Sequence, residues 1–129
     1  MAVYGIGANY DGTRDVSGDF ISRNIACVGW SLQDAPTLHE ILKHIKTGDI
    51  IYIKSHPPSI GLIIKAVGIV IGNHILSDPD LGDGVQVRWE WTGDRRIGIL
   101  GDRYAVRNIT LYEEYNFDII TTVIQLLLD

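Results

Sequence analysis

The sequence predicts an α+β fold of about six strands, with one helix before the central strands, and three observations carry that expectation. A helical apolar stripe ends at Ile45, Gly48-Asp49 makes a turn, and the apolar run Ile50–Ser55 follows, which reads as helix, tight turn and buried strand. A second apolar run, Gly61 to Gly72, returns after Pro57-Pro58-Ser59. Asp49 to Ser55 and Leu62 to Ile71 are too continuously apolar for strands with one wet face, so they are expected at the centre of the sheet. Third, Val85-Gln86-Val87-Arg88-Trp89-Glu90-Trp91 alternates with the period of a strand, setting Val85, Val87, Trp89 and Trp91 on one face.

The remaining elements are read in chain order. Ala2 to Tyr10 is a short apolar strand interrupted by Gly5 and Gly7, where another group comes close. The glycine pair is no dinucleotide fingerprint, because the third glycine is missing and Asp11-Gly12-Thr13-Arg14-Asp15 is turn-rich rather than helical. Asp11 to Asp19 reads as an exposed loop, and it lacks the terminal glutamate of a calcium loop. Phe20-Ile21 and Ile25 to Trp30 read as a second strand region ending at Trp30.

Asp34-Ala35-Pro36 then signals a helix start, and Leu38, Ile41, Leu42 and Ile45 form its apolar stripe. His39 and His44, five apart, do not share a face as metal ligands four apart would, and both are expected at the surface. Gly68 marks a bulge or bend in its strand. Asn73 to Gly84 reads as a loop, Thr92-Gly93-Asp94 as a hairpin turn, Arg95 to Leu100 as the return strand and Gly101-Asp102 as its end. Ile109 to Tyr112 is a last strand. Asn116 or Asp118 then caps a terminal helix with Ile120, Val123, Ile124 and Leu127 on one stripe, although Ile-Ile-Thr-Thr-Val-Ile is also a good strand sequence. Ile119, Leu126 and Leu128 widen the stripe, which fits either a homo-oligomer contact through residues 117–128 or a deeply seated C-terminus.

Composition bounds the function classes. A chain of 129 residues fits one domain, residues 1–129, and 46% hydrophobic with 21% charged residues is ordinary for a folded soluble protein. The single Cys27 excludes an internal disulfide and suits a reducing compartment; with no signal-type or membrane-length segment, a cytoplasmic protein is expected. The net charge of -5 argues against a protein whose main work is coating phosphate backbone. Between Val85 and Asn108, however, five arginines face three acidic residues, a weakly basic sector on an acidic body. No nucleophile elbow, paired-histidine metal spacing or Cys-x-x-Cys is present, so no catalytic residue, metal ligand or cofactor is assigned. Cys27, inside an apolar strand, reads as an inert small hydrophobe.

The helix ending in Ile45-Lys46-Thr47-Gly48-Asp49, the apolar strand to Lys54-Ser55-His56 and the return strand Ala66-Val67-Gly68-Ile69-Val70 resemble the PUA-like group of small β-barrels that includes the EVE, ASCH and YTH domains. The resemblance covers about a quarter of the chain. EVE domains commonly begin with a Tyr-Trp pair and end the first central strand in Tyr-His-Ser; here Tyr4 is followed by Gly5 and the strand ends Lys54-Ser55-His56. The resemblance implies a mixed β-barrel and the binding of a modified nucleobase of DNA or RNA, flipped into a barrel pocket. A base needs an aromatic platform and fixed polar groups, roles that fall to Tyr10, Trp30, Lys54, Ser55 and His56, with Arg88, Arg95 and Arg96 on the backbone. Two other classes stand beside this one: an interaction module or accessory subunit using the apolar C-terminal segment, and a small enzyme acting on nucleotides.

Overall fold

The computed structural model describes residues 1–72, 74–101 and 106–129, with Val106 described in its backbone alone. Asn73, at the head of the expected loop, and Asp102 and Arg103, of the expected strand end and basic sector, lie outside the described residues. The fold is α+β. Six strands follow one hydrogen-bonded path, β4 (Ile25–Val28), β8 (Gly82–Gly98), β6 (Leu62–Val70), β5 (Ile50–Ser55), β1 (Val3–Gly7) and β9 (Leu111–Glu113), while β7 (Leu76–Asp78) pairs with β8. The sheet is mixed, since β1 runs parallel to β5 and the other neighbours are antiparallel. It curls into a half-barrel, with β4 and β9 as the ends of the path. A small hairpin, β2 (Asn9–Tyr10) with β3 (Arg14–Asp15), stands beyond the end of β1. Three helices complete the chain: α1 (Ser17–Arg23), α2 (Pro36–His44) and α3 (Phe117–Leu128).

The central unit has the expected form, and its turn chemistry explains why. Gly48 has φ +93°, a conformation that a side chain resists. The Asp49 carboxylate accepts the Lys46 amide at 2.8 Å and the Ala2 amide at 3.0 Å, closing the turn and docking the chain entrance beside β5. Ile50, Ile51, Tyr52 and Ile53 are all buried, alternating between two cores. One face carries Tyr4, Ile6, Ile51, Ile53, Phe20, Leu42 and Val87; the other carries Val3, Ile50, Tyr52, Val67, Ile119 and Val123. α1 and α2 contribute to the first core and α3 to the second. Pro36 opens α2, as expected, though Ala35 rather than Asp34 is the cap residue. Asn116 caps α3, its Oδ1 accepting the Ile119 amide at 3.1 Å. The buried positions of α3 are Ile119, Val123 and Leu126; Ile120, Ile124 and Leu127 flank that stripe and are partly buried.

Four expectations are corrected. Phe20-Ile21 belongs to α1, not to a strand, so part of the expected acidic loop is helical. The loop before Gly84 contains β7 and the start of β8. Third, no hairpin forms at Thr92-Gly93-Asp94. The residues Gly82–Gly98 make one strand, in which Val87 to Gly98 run against Leu62 to Val70 of β6 and the extra residues are absorbed at three register shifts. One shift falls at Thr92 to Arg95: the residues that read as a turn supply a bulge, which needs the same conformational freedom. Another falls opposite Gly68, as expected there, and it makes the fourth correction. Gly68 pairs with Trp89 and Val67 with Trp91, leaving Glu90 over. Trp89 and Trp91 therefore pack against opposite cores instead of sharing a face.

Candidate functional site

At the end of β1 and β5 lies a cleft of about 1270 Å³, walled by residues 7–15, 29–32, 53–58 and 78–83 with His39, Lys65, Asn108 and Thr110. Tyr10, Trp30, Lys54, Ser55 and His56, expected from the sequence as one ligand site, all line it. The parallel pairing of β1 and β5 opens the cleft at the strand ends, and the small β2–β3 hairpin that follows β1 forms one wall.

The five residues arrive in different states. Trp30 is 56% exposed, so it is no core plug; its indole stands at the cleft as an open aromatic surface. Tyr10 is fixed by the fold: its hydroxyl donates to the Leu81 carbonyl at 2.6 Å, its ring meets Phe20 edge-on at 6.3 Å, and burial raises its pKa. A side chain on Gly29 would strike that ring at 2.9 Å, so glycine is required there. Ser55 is half-buried, and its hydroxyl makes no hydrogen bond among the described residues. His56 donates from Nδ1 to Asn108 Oδ1 at 2.8 Å. Lys54 extends its Nζ to the Arg107 carbonyl at 2.7 Å, and burial pushes its pKa down to about 8.

Beneath Lys54 runs a buried polar chain. Tyr52 donates its hydroxyl to Glu114 Oε1 at 2.6 Å, so the Tyr112 hydroxyl, 2.8 Å from that of Tyr52, donates to it. Arg107 grips both carboxylate oxygens of Glu114, at 3.0 and 2.5 Å. Gly5 makes room for this chain, since a side chain there would meet Tyr112 Cζ at 2.5 Å. Gly7, next on that face, leaves Lys54 Cε at 3.4 Å from the place a Cβ would take. The glycine pair thus admits a ring and a lysine stem.

His39 was expected at the surface, and the structure overturns that: it is 4% exposed and lines the cleft. Its Nε2 donates to the Trp30 carbonyl at 2.7 Å, and Nδ1 faces Asp83 Oδ2 at 3.6 Å. His39 lies three residues before the fully buried Leu42 on one helix face, and that spacing was the available signal. Replacing His39 by alanine is expected to cost about 1 to 3 kcal/mol, because it removes a buried side chain together with its hydrogen bond to the Trp30 carbonyl, and to increase acrylamide quenching of Trp30. An unchanged urea midpoint together with unchanged quenching would contradict this role.

Sequence reasoning also missed Asp83, Lys65, Asn108 and Thr110, which strand pairing and chain return bring to the cleft. Lys65 is the unpaired extra residue of β6 opposite Ile53 and Lys54, and it reaches Asp15 at 3.0 Å. The cleft carries five aspartates: Asp11, Asp15, Asp78, Asp80 and Asp83. Arg23 engages Asp78 and Asp80 at 3.0 and 3.2 Å. None of Arg88, Arg95 and Arg96 lines the cleft. Arg88 pairs with Glu90 on its own strand, while Arg95 and Arg96 pair with Ile64 and Ile63, beside Lys65. Cys27 is buried, and burial pushes its thiol up to about 12, which leaves it protonated at neutral pH. Among the described residues no helix is long and apolar enough to cross a membrane. The chain matches no protein-family model, and no curated protein matches it.

Proposed function

We propose that the chain is a PUA-like binding module that seats one flat nucleobase, modified or carried in a flexible strand, in the cleft at the ends of β1 and β5. The observation that carries this reading is the meeting of an exposed indole, Trp30, with the polar strand end Lys54-Ser55-His56 in one cleft. Trp30 offers a ring to stack on. The Ser55 hydroxyl is free to donate or accept at the base edge, and Lys54 donates. Tyr10 is a wall rather than a second platform, because its hydroxyl is already engaged. Arg95 and Arg96, which pair with β6 beside Lys65 and do not line the cleft, offer a phosphate path outside it.

The test is a titration with short oligonucleotides carrying methylated or hydroxymethylated bases, at low salt where backbone attraction is least screened. Trp30→Ala is expected to weaken binding by roughly 5- to 150-fold, the equivalent of a lost stacking contact of about 1 to 3 kcal/mol. As Trp30 is exposed, its thermal midpoint is expected to stay near wild type. Ser55→Ala is expected to lower affinity with little change in stability. Wild type that binds none of these oligonucleotides, or a Trp30→Ala variant that binds them equally well, would remove the nucleobase reading.

One observation favours a second reading, an interaction module using residues 117–128. Phe117 and Leu128, at the two ends of α3, are both about four-fifths exposed. Light scattering on a size-exclusion column separates the two: a concentration-dependent dimer lost in Phe117→Ser supports the second.

A further inference from the structure

Lys54 stands in the cleft at the end of β5 with its amine held by the main chain rather than by a carboxylate. Its Nζ makes a single hydrogen bond, to the main-chain carbonyl of Arg107, and no carboxylate lies within ion-pair reach of it among the described residues. Lys65, also in the cleft, by contrast has Asp15 at 3.0 Å. The Lys54 stem passes the bare Gly7 backbone, and the residue, partly buried, lines the cleft from which a small group would approach its amine.

The surroundings select what that group is. A desolvated ammonium attracts an anion, but five aspartates line the same cleft against Arg14, Lys54 and Lys65, and Asp11 and Asp83 have no lysine or arginine partner among the described residues. A phosphate or carboxylate ligand would meet that field on the way in. A neutral electrophile would not. We propose that Lys54 is an amine nucleophile that captures an aldehyde in the cleft as a reversible imine, the natural ligand being a flat ring that bears a formyl group.

In the reaction the Nζ lone pair adds to the carbonyl carbon to form a carbinolamine. The carbonyl oxygen then leaves as water with the two hydrogens of the amine, and a C=N bond remains; no oxidant or reductant is consumed. Burial supports the step. With a pKa of about 8, roughly a fifth of Lys54 is neutral at pH 7.4, against about one in a thousand for an ordinary lysine. The flat-ring part of the proposal rests on the nucleobase reading, whereas the reactivity of the amine does not.

The chain has four lysines, Lys43, Lys46, Lys54 and Lys65, so one labelling experiment compares them all. Intact protein is treated at pH 7.4 with pyridine-4-carboxaldehyde and cyanoborohydride, which reduces any imine to a stable secondary amine, and each lysine is read by peptide mapping. Lys54 is expected to be labelled at least about tenfold faster than the other three, with a rate that levels off above pH 8 while theirs continues to climb. Labelling of Lys54 no faster than that of Lys43 overturns the proposal, even if oligonucleotide binding still depends on Trp30. If Lys54 is labelled fast but equally so in Trp30→Ala, the amine stands and the stacked-ring reading falls. Lys54→Arg, which keeps a donor for the Arg107 carbonyl, is expected to lose this label and retain the wild-type thermal midpoint.

Discussion

Glu114→Ala is expected to destabilise the fold by about 3 to 5 kcal/mol, measured as the shift in urea unfolding relative to wild type. The Glu114 carboxylate is buried and receives the Tyr52 hydroxyl, two nitrogens of Arg107 and the Asn116 amide at 3.1 Å. Removing it leaves the Arg107 guanidinium, itself buried, without its carboxylate. The net value of the pair is a separate matter, because burying two charges is itself costly. A double variant, Arg107→Met with Glu114→Leu, is therefore expected to lose less than either single change. A single-variant loss below about 1 kcal/mol, the range of exposed ion pairs, would mean that the pair is solvated. The damage is also expected to reach the cleft, since the Arg107 carbonyl holds Lys54.

Phe20→Ala is the second large effect, expected at about 3 to 5 kcal/mol. Phe20 is completely buried and supports two aromatic neighbours: its ring meets Tyr10, and its carbonyl accepts the Trp89 indole N–H at 3.0 Å. Truncation opens a cavity behind the wall of the cleft, where Tyr10 has no other aromatic contact among the described residues. Leu, which refills most of the volume, is expected to restore about half of the loss. Equal losses for Ala and Leu would mean that ring geometry, rather than volume, is what Tyr10 requires.

The same residue marks where sequence reading stopped. α1 has seven residues and no side-chain cap at Val16, and its one fully buried side chain is Phe20, so no periodic stripe announces it. Asp15, which accepts the Ser17 amide at 2.9 Å, belongs to a hairpin strand and resembles loop polarity. The central strands were legible for the opposite reason: burial on both faces makes Ile50 to Ile53 and Leu62 to Val70 continuous apolar runs. Thr92-Gly93-Asp94 misled because bulges and hairpin turns draw on the same residues, and only the neighbouring strand distinguishes them. In the cleft, Lys54, Ser55 and His56 were legible as polar residues closing an apolar strand. Asp83, Lys65 and Asn108 were not, since pairing partners and chain return bring them there and nothing in their own neighbourhood signals it.

The position of β1 between β5 and β9 sets the order in which the molecule can assemble. Val3 pairs with Ile50 on one side, whereas Tyr4 waits for Glu113 on the other. During synthesis on the ribosome β1 and β5 can associate early, yet one edge of β1 stays unpaired until Leu111 to Glu113 have emerged. Closing so long a loop is slow, and an open strand edge invites pairing with other chains in the interval. A chain halted before Leu111 is thus an aggregation hazard rather than a smaller version of the protein.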